Sequence, residues 1–192
     1  MKRSLIQLFP ILILSFFANA DQKAKEYDGH WWDSIYKEEQ DGFISGYLDC
    51  CIYDAKIQNA PNGPIVEIIR RIDQYYRSKS AIQEKPVVEV LKQINRGPSN
   101  TAGQDRKKKA RERHGSYDGD YWRQSSHAAR TGFVQGYILC RSKYLNEKFP
   151  MQVENYVKAI SQWYGVSDTD ESEMNVKTAD DKVGDVLIKL KK

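Results

Sequence analysis

The chain has 192 residues, 40% of them hydrophobic and 29% charged, with 30 bases against 26 acids and a formal charge of +4. That length allows one sizeable core or two small ones sharing an interface, and the small excess of bases is local, concentrated between Asn95 and His114. Beyond its first residues no apolar run approaches the roughly 20 residues that a bilayer crossing needs.

Residues 1–20 read as an export signal. Lys2 and Arg3 make a positive start, Leu5 to Phe17 an apolar run, and Ala18-Asn19-Ala20 a small-x-small cleavage pattern. The mature chain is expected to begin at Asp21, without a lipid anchor because no cysteine follows the cut, and to reside in the periplasm or outside the cell. Loss of Lys2 and Arg3 lowers its formal charge to +2.

The first unit, 21–94, opens on Tyr27-Asp28-Gly29-His30-Trp31-Trp32, read as a turn leading into a helix. Ser34 or a neighbour then caps a helix from about Lys37 to about Tyr53. Asn62-Gly63-Pro64 breaks the chain. Ile65, Ile68, Ile69, Ile72 and Tyr76 form the apolar stripe of a second helix, and Pro86 suits the first position of a third that runs through Ile94.

Residues 95–114 begin Asn95-Arg96-Gly97-Pro98 and carry seven bases against two acids, the composition of a basic flexible linker. A contact with acidic surfaces is expected there at most. Without interleaved aromatics, nucleic acid is not expected as a partner.

Residues 115–192 repeat the first unit. Tyr117-Asp118-Gly119-Asp120-Tyr121-Trp122 matches the opening hexapeptide at an offset of 90, and Gly132-Phe133-Val134-Gln135-Gly136-Tyr137 with Cys140 matches Gly42-Phe43-Ile44-Ser45-Gly46-Tyr47 with Cys50 at the same offset. Ser125 or Ser126 caps the long helix, which reaches about Leu145, and Pro150 opens the next. Val153, Tyr156, Val157, Ile160 and Tyr164 make the matching stripe, now offset by 88, and Gly165 ends it as a left-handed stop. An acidic loop, 167–179, leads to a last helix with Thr178 as its cap and Val183, Val186, Leu187 and Leu190 as its stripe, offset by 96. Length changes confined to connections are what a duplicated fold tolerates.

The expected fold is all-α: a tandem duplication of a three-helix unit, fused into one domain. Gly42, Gly46 and Cys50 fall four apart on one helical ridge, as do Gly132, Gly136 and Cys140. Interior glycine costs about 1 kcal/mol against alanine, and close backbone approach is the compensating cause. The two glycine-ridge helices are therefore expected to pack about a pseudo-twofold axis. Equivalent residues meet near such an axis, so Cys50 should bond Cys140, leaving Cys51 about 100° around the helix as a buried, inert thiol.

Candidate chemistry is sparse. His30, His114 and His127 lack a second histidine or cysteine at metal-ligand spacing, and neither a metal nor a cofactor is expected. His127 and Cys140 lie too far apart on one helix for a thiol protease. Asp168, Asp170, Ser172 and Glu173 resemble a calcium loop, but Glu173 occupies the position where the turn requires glycine. Glu38, Glu39 and Asp41 read as a solvated first helical turn. No catalytic residue is assigned, and partner contacts are expected where the two copies differ: His30, Trp31 and Asp33 against Asp120, Tyr121 and Arg123.

The two Gly-aromatic-aliphatic-x-Gly-aromatic helices resemble those of small exported helical immunity proteins of the Rap1a and Tai type, where the motif lies near disulfide cysteines. The likeness covers about a dozen residues in each copy, and here the unit occurs twice where those proteins hold one. The resemblance implies an exported, non-enzymatic protein that binds and blocks a cell-wall-degrading toxin. Two alternatives stand beside it: a carboxylate-dependent enzyme on wall or surface polymers, and a structural or stress-related envelope protein.

Overall fold

A computed structural model describes residues 27–58, 60–61, 63–78, 83–94, 116–166 and 178–191. The residues expected to form an export signal, a basic linker and a calcium-like loop, with His114, lie outside the described residues. Those described form eight α-helices and one π-helical turn, with no strand.

The first half comprises α1 (Gly29–Ser34), α2 (Lys37–Asp49), the π-turn (Cys50–Asp54), α3 (Ile65–Arg77) and α4 (Val87–Ile94). The second comprises α5 (Gly119–Gln124), α6 (His127–Tyr144), α7 (Val153–Tyr164) and α8 (Val183–Leu190). Among the described residues each half thus holds four α-helices rather than three. The expected turns at Asp28 and Asp118 are in fact capped short helices: the Asp28 carboxylate accepts from the Trp31 amide at 2.9 Å, and the Asp118 carboxylate from Asp120 and Tyr121.

Three further boundaries differ from the sequence reading. Tyr36, not Ser34, stands before α2, and the Ser34 hydroxyl donates back to the Trp31 carbonyl. Gln152 stands before α7, so Pro150 does not open it. Thr178 does not cap α8, because the helix starts after Lys182; its hydroxyl donates instead to the Trp163 carbonyl. Ser126 does cap α6, accepting from the Ala129 amide, and Gly165 closes α7 at φ 67°, with the Val166 amide bonding back to the Ser161 carbonyl.

One continuous core runs through both halves. Trp32, Phe43, Ile44, Leu48, Ile72, Val87 and Val90 are fully enclosed in the first, and Trp122, Phe133, Val134, Ile160, Val183 and Val186 in the second. The apolar stripes of α3, α4, α7 and α8 face this core. Their amphipathic period is therefore the cause of their packing.

Hydrogen bonds recur between the halves at the offsets of the sequence. Trp32 donates its indole N–H to Asp73 and Trp122 to Ser161. Tyr76 donates to the Lys85 carbonyl, and Tyr164 to that of Asp181, both at 2.7 Å. Gly29 N–H bonds the Gln83 carbonyl as Gly119 N–H bonds that of Ala179, while Val87 bonds Tyr27 as Val183 bonds Tyr117. In each half these bonds anchor the short first helix and the last helix to the chain before and after the glycine helix.

Candidate functional site

The centre of the molecule is the seam where α2 and α6 run side by side in the same direction. An ideal Cβ on Gly42 would lie 2.0 Å from the Ala129 carbonyl oxygen, and one on Gly46 2.0 Å from that of Phe133. The contacts are returned: Gly132 faces the Glu39 carbonyl oxygen at 2.1 Å and Gly136 that of Phe43 at 2.0 Å. The hydrogen in place of each Cβ points at a carbonyl oxygen, the arrangement of a weak Cα–H···O contact. All four glycines expected at the packing ridge thus lie in it.

At the end of this seam Cys50 and Cys140 are joined as a disulfide with alpha carbons 6.1 Å apart. Cys51 is a buried free thiol, but not one turned away from the ridge as its sequence position suggested. Its Sγ lies 3.2 Å from that of Cys140. Burial pushes this thiol up to about 12, opposed by a hydrogen bond with Tyr47.

Below the sulfurs lies a polar cluster that the sequence reading missed. The Tyr137 hydroxyl donates to Asp54 at 2.6 Å, the Arg141 guanidinium pairs with Asp54 at 2.9 Å and also with Glu147, and Lys191 reaches Glu147 at 2.7 Å. Arg141 is only 8% exposed, so its charge needs these partners. They hold Glu147 near 2, Arg141 being the larger cause and Lys191 the smaller. The corresponding contact on the other side is neutral, Tyr47 hydroxyl to Tyr144 hydroxyl at 3.1 Å. Arg130, 6% exposed, donates to the Trp122 carbonyl where Gln40 donates to that of Trp32. The signal that could have found this pair is the offset of 90, which sets one long donor side chain against another.

The six residues expected to meet a partner divide by burial. His30 and Asp33 on α1, with Asp120 and Arg123 on α5, are exposed. Trp31 and Tyr121 are half-buried: Trp31 packs its ring against Tyr27 at 4.5 Å and Phe43 at 5.0 Å, and Tyr121 against Tyr117 at 4.9 Å and Phe133 at 5.6 Å. Each aromatic thus packs inward from a short helix whose charged and histidine residues are exposed. The matching positions differ in charge, with His30 and Asp33 replaced by Asp120 and Arg123.

Other candidate chemistry is not assembled by these residues. His127 sits at the start of α6, 3.3 Å from Glu154, roughly 20 Å along the helix from Cys140 by axial rise. Glu38, Glu39 and Asp41 share one helix, and glycoside cleavage needs carboxylates on opposite walls of a cleft. Partial burial raises the Asp41 carboxyl, opposed by the Ser45 hydroxyl. Among the described residues no group of three or more His, Cys, Asp or Glu could hold a metal ion, and no helix is long and apolar enough to cross a membrane. The chain matches no family model, no curated protein and no solved structure.

Proposed function

We infer that this is an exported, non-enzymatic helical binding protein, formed by tandem duplication about a pseudo-twofold axis, that engages a protein partner in the envelope as an inhibitor or immunity protein would. The paired hydrogen bonds at offsets of 90, 88 and 96 support the duplication, as do the returned glycine contacts. A disulfide across the seam accords with export, because such bonds persist in oxidising compartments.

The observation that supports binding most directly is where the halves agree and where they differ. Many inward groups repeat, among them the glycine ridge, the aspartate caps of the short helices, the tryptophan hydrogen bonds and the tyrosine anchors. Outward groups on the two short helices do not, since His30 and Asp33 stand where the other half has Asp120 and Arg123, all four exposed. A frame cross-linked through its core and bearing two short helices with unlike exposed side chains loses little entropy on docking, which favours recognition of one partner over many.

The test uses the mature chain prepared with its disulfide. It is immobilised, challenged with envelope extract, and the retained protein is identified by mass and purified for a binding isotherm. Saturable binding is expected, weakened about tenfold or more by Asp33→Arg or Arg123→Asp at unchanged melting temperature. No saturable protein partner, or binding indifferent to both reversals, overturns the reading.

A further inference from the structure

We propose that Cys50, Cys51 and Cys140 form an exchangeable three-sulfur centre in which Cys140 bonds either neighbour, so that the cross-link between the halves moves between two registers without net oxidation. Two independent observations point to it. The first is the approach of the Cys51 sulfur to within 3.2 Å of the Cys140 sulfur while Cys140 is bonded to Cys50. The second is the backbone: the chain leaves α-helical geometry at this point, with the Ala55 amide bonding the Cys50 carbonyl five residues back at 2.8 Å.

In the second half the corresponding amide, Leu145, bonds Arg141 four residues back at 2.9 Å, and α6 continues unbroken. Among the described residues the wide turn is thus confined to the half that carries the extra cysteine. A π-turn has more residues per turn than an α-helix, so it rotates consecutive side chains by less than roughly 100°. Cys50 and Cys51 therefore present both sulfurs to the same partner. A bond between the two neighbours themselves is disfavoured, because consecutive alpha carbons stand about 3.8 Å apart and a disulfide wants about 4.4 Å or more.

The chemistry balances within the protein. The Cys51 thiol gives up its proton, its thiolate attacks Cys140 Sγ, the Cys51–Cys140 bond forms, and the Cys140–Cys50 bond breaks. The electron pair leaves on Cys50, which takes up one proton. Burial of Cys51 makes its thiolate scarce near neutrality, so the exchange is slow there and accelerates about tenfold per pH unit in mild alkali. The consequence for the fold is a cross-link that survives loss of either Cys50 or Cys51 but not of Cys140.

The test follows the position of the free thiol. Oxidised protein is held at about pH 9, quenched in acid, unfolded, alkylated with N-ethylmaleimide and mapped by mass. Label is expected first on Cys51 and then increasingly on Cys50, at a rate independent of protein concentration. Cys51→Ala should show no label on Cys50. Cys50→Ala should fold with a Cys51–Cys140 bond and no free thiol, whereas Cys140→Ala should show two. Label confined to Cys51 in the parent chain overturns the proposal, and so does a folded Cys50→Ala chain with both remaining thiols free.

Discussion

Gly46 of the first half meets the carbonyl oxygen of Phe133 in the second, at a place where a methyl group would stand 2.0 Å from that oxygen. The obstacle is helical backbone, which cannot rotate aside as a side chain can. Gly46→Ala is therefore expected to force the two helices apart and cost about 3 kcal/mol or more, outweighing the roughly 1 kcal/mol gained in helix propensity. Gly136→Ala should match it, because Phe43 is met in the same way. Urea unfolding of the two variants beside the parent measures both. A neutral or stabilising result in either would mean that the seam is looser than its geometry.

The glycine contact was readable from the sequence because its cause is local: residues four apart share a helical face, and costly glycines there need a close neighbour. The stripes of α3, α4, α7 and α8 were readable for the same reason. Three kinds of feature were not. Helices α1 and α5 have six residues each, too few for a period to show, so their aspartate caps looked like turns. The π-turn follows Asp49 without a proline or glycine to mark it, and it carried Cys51 to a position that an ideal helix denies it. The Asp54, Arg141 and Glu147 cluster joins residues from both halves, and no local rule pairs Asp54 with Arg141. Thr178 and Asp181 had capping spacing, yet they form a turn before the helix, which starts only after Lys182.

The tryptophan anchors offer a paired measurement. Trp122 donates to Ser161 at 3.0 Å with both residues buried, and Trp32 donates to Asp73 at 2.8 Å. Ser161→Ala should leave an indole N–H without its acceptor in the core and cost about 1 to 3 kcal/mol, and Asp73→Ala should destabilise in the same direction. Denaturant midpoints give the sizes. Faster exchange of the indole hydrogen in each variant would show that the lost bond is the cause.

Acid should weaken the fold through Glu147. Its folded value, near 2, lies below the ordinary 4.5, so the contribution of its pairing is complete above about 4.5 and disappears as pH falls toward 2. Glu67 and Glu89 are also held near 2, by Arg70 and Arg71 and by Lys143 and Lys92, but these carboxylates are open to solvent and their pairs are screened by salt. Stability measured from about pH 5 to 2 is expected to fall in low salt and to keep part of that fall in molar salt. Glu147→Gln should remove most of the salt-resistant part. A parent chain whose salt-resistant slope survives that change would assign it to another group.

The two tyrosines of the seam separate charge from position. Tyr47 and Tyr137 occupy matching places in α2 and α6, but Tyr47 meets the neutral hydroxyl of Tyr144 at 3.1 Å while Tyr137 donates to the Asp54 carboxylate at 2.6 Å and accepts from Arg141 at 3.3 Å. A hydrogen bond to an ionised group contributes about 1.5 to 3 kcal/mol, against about 1 for a neutral pair. Tyr137→Phe should accordingly cost more than Tyr47→Phe, although both remove one hydroxyl and neither opens a cavity. The excess has a specific origin, because among the described residues Asp54 keeps only Arg141 once the phenol is gone, and that guanidinium is already shared with Glu147. Asp54→Asn together with Tyr137→Phe should then cost less than the two single changes summed, as it must when two groups serve one network. A double-mutant cycle in urea measures the coupling, and strict additivity would show that Tyr137 and Asp54 act separately despite their contact.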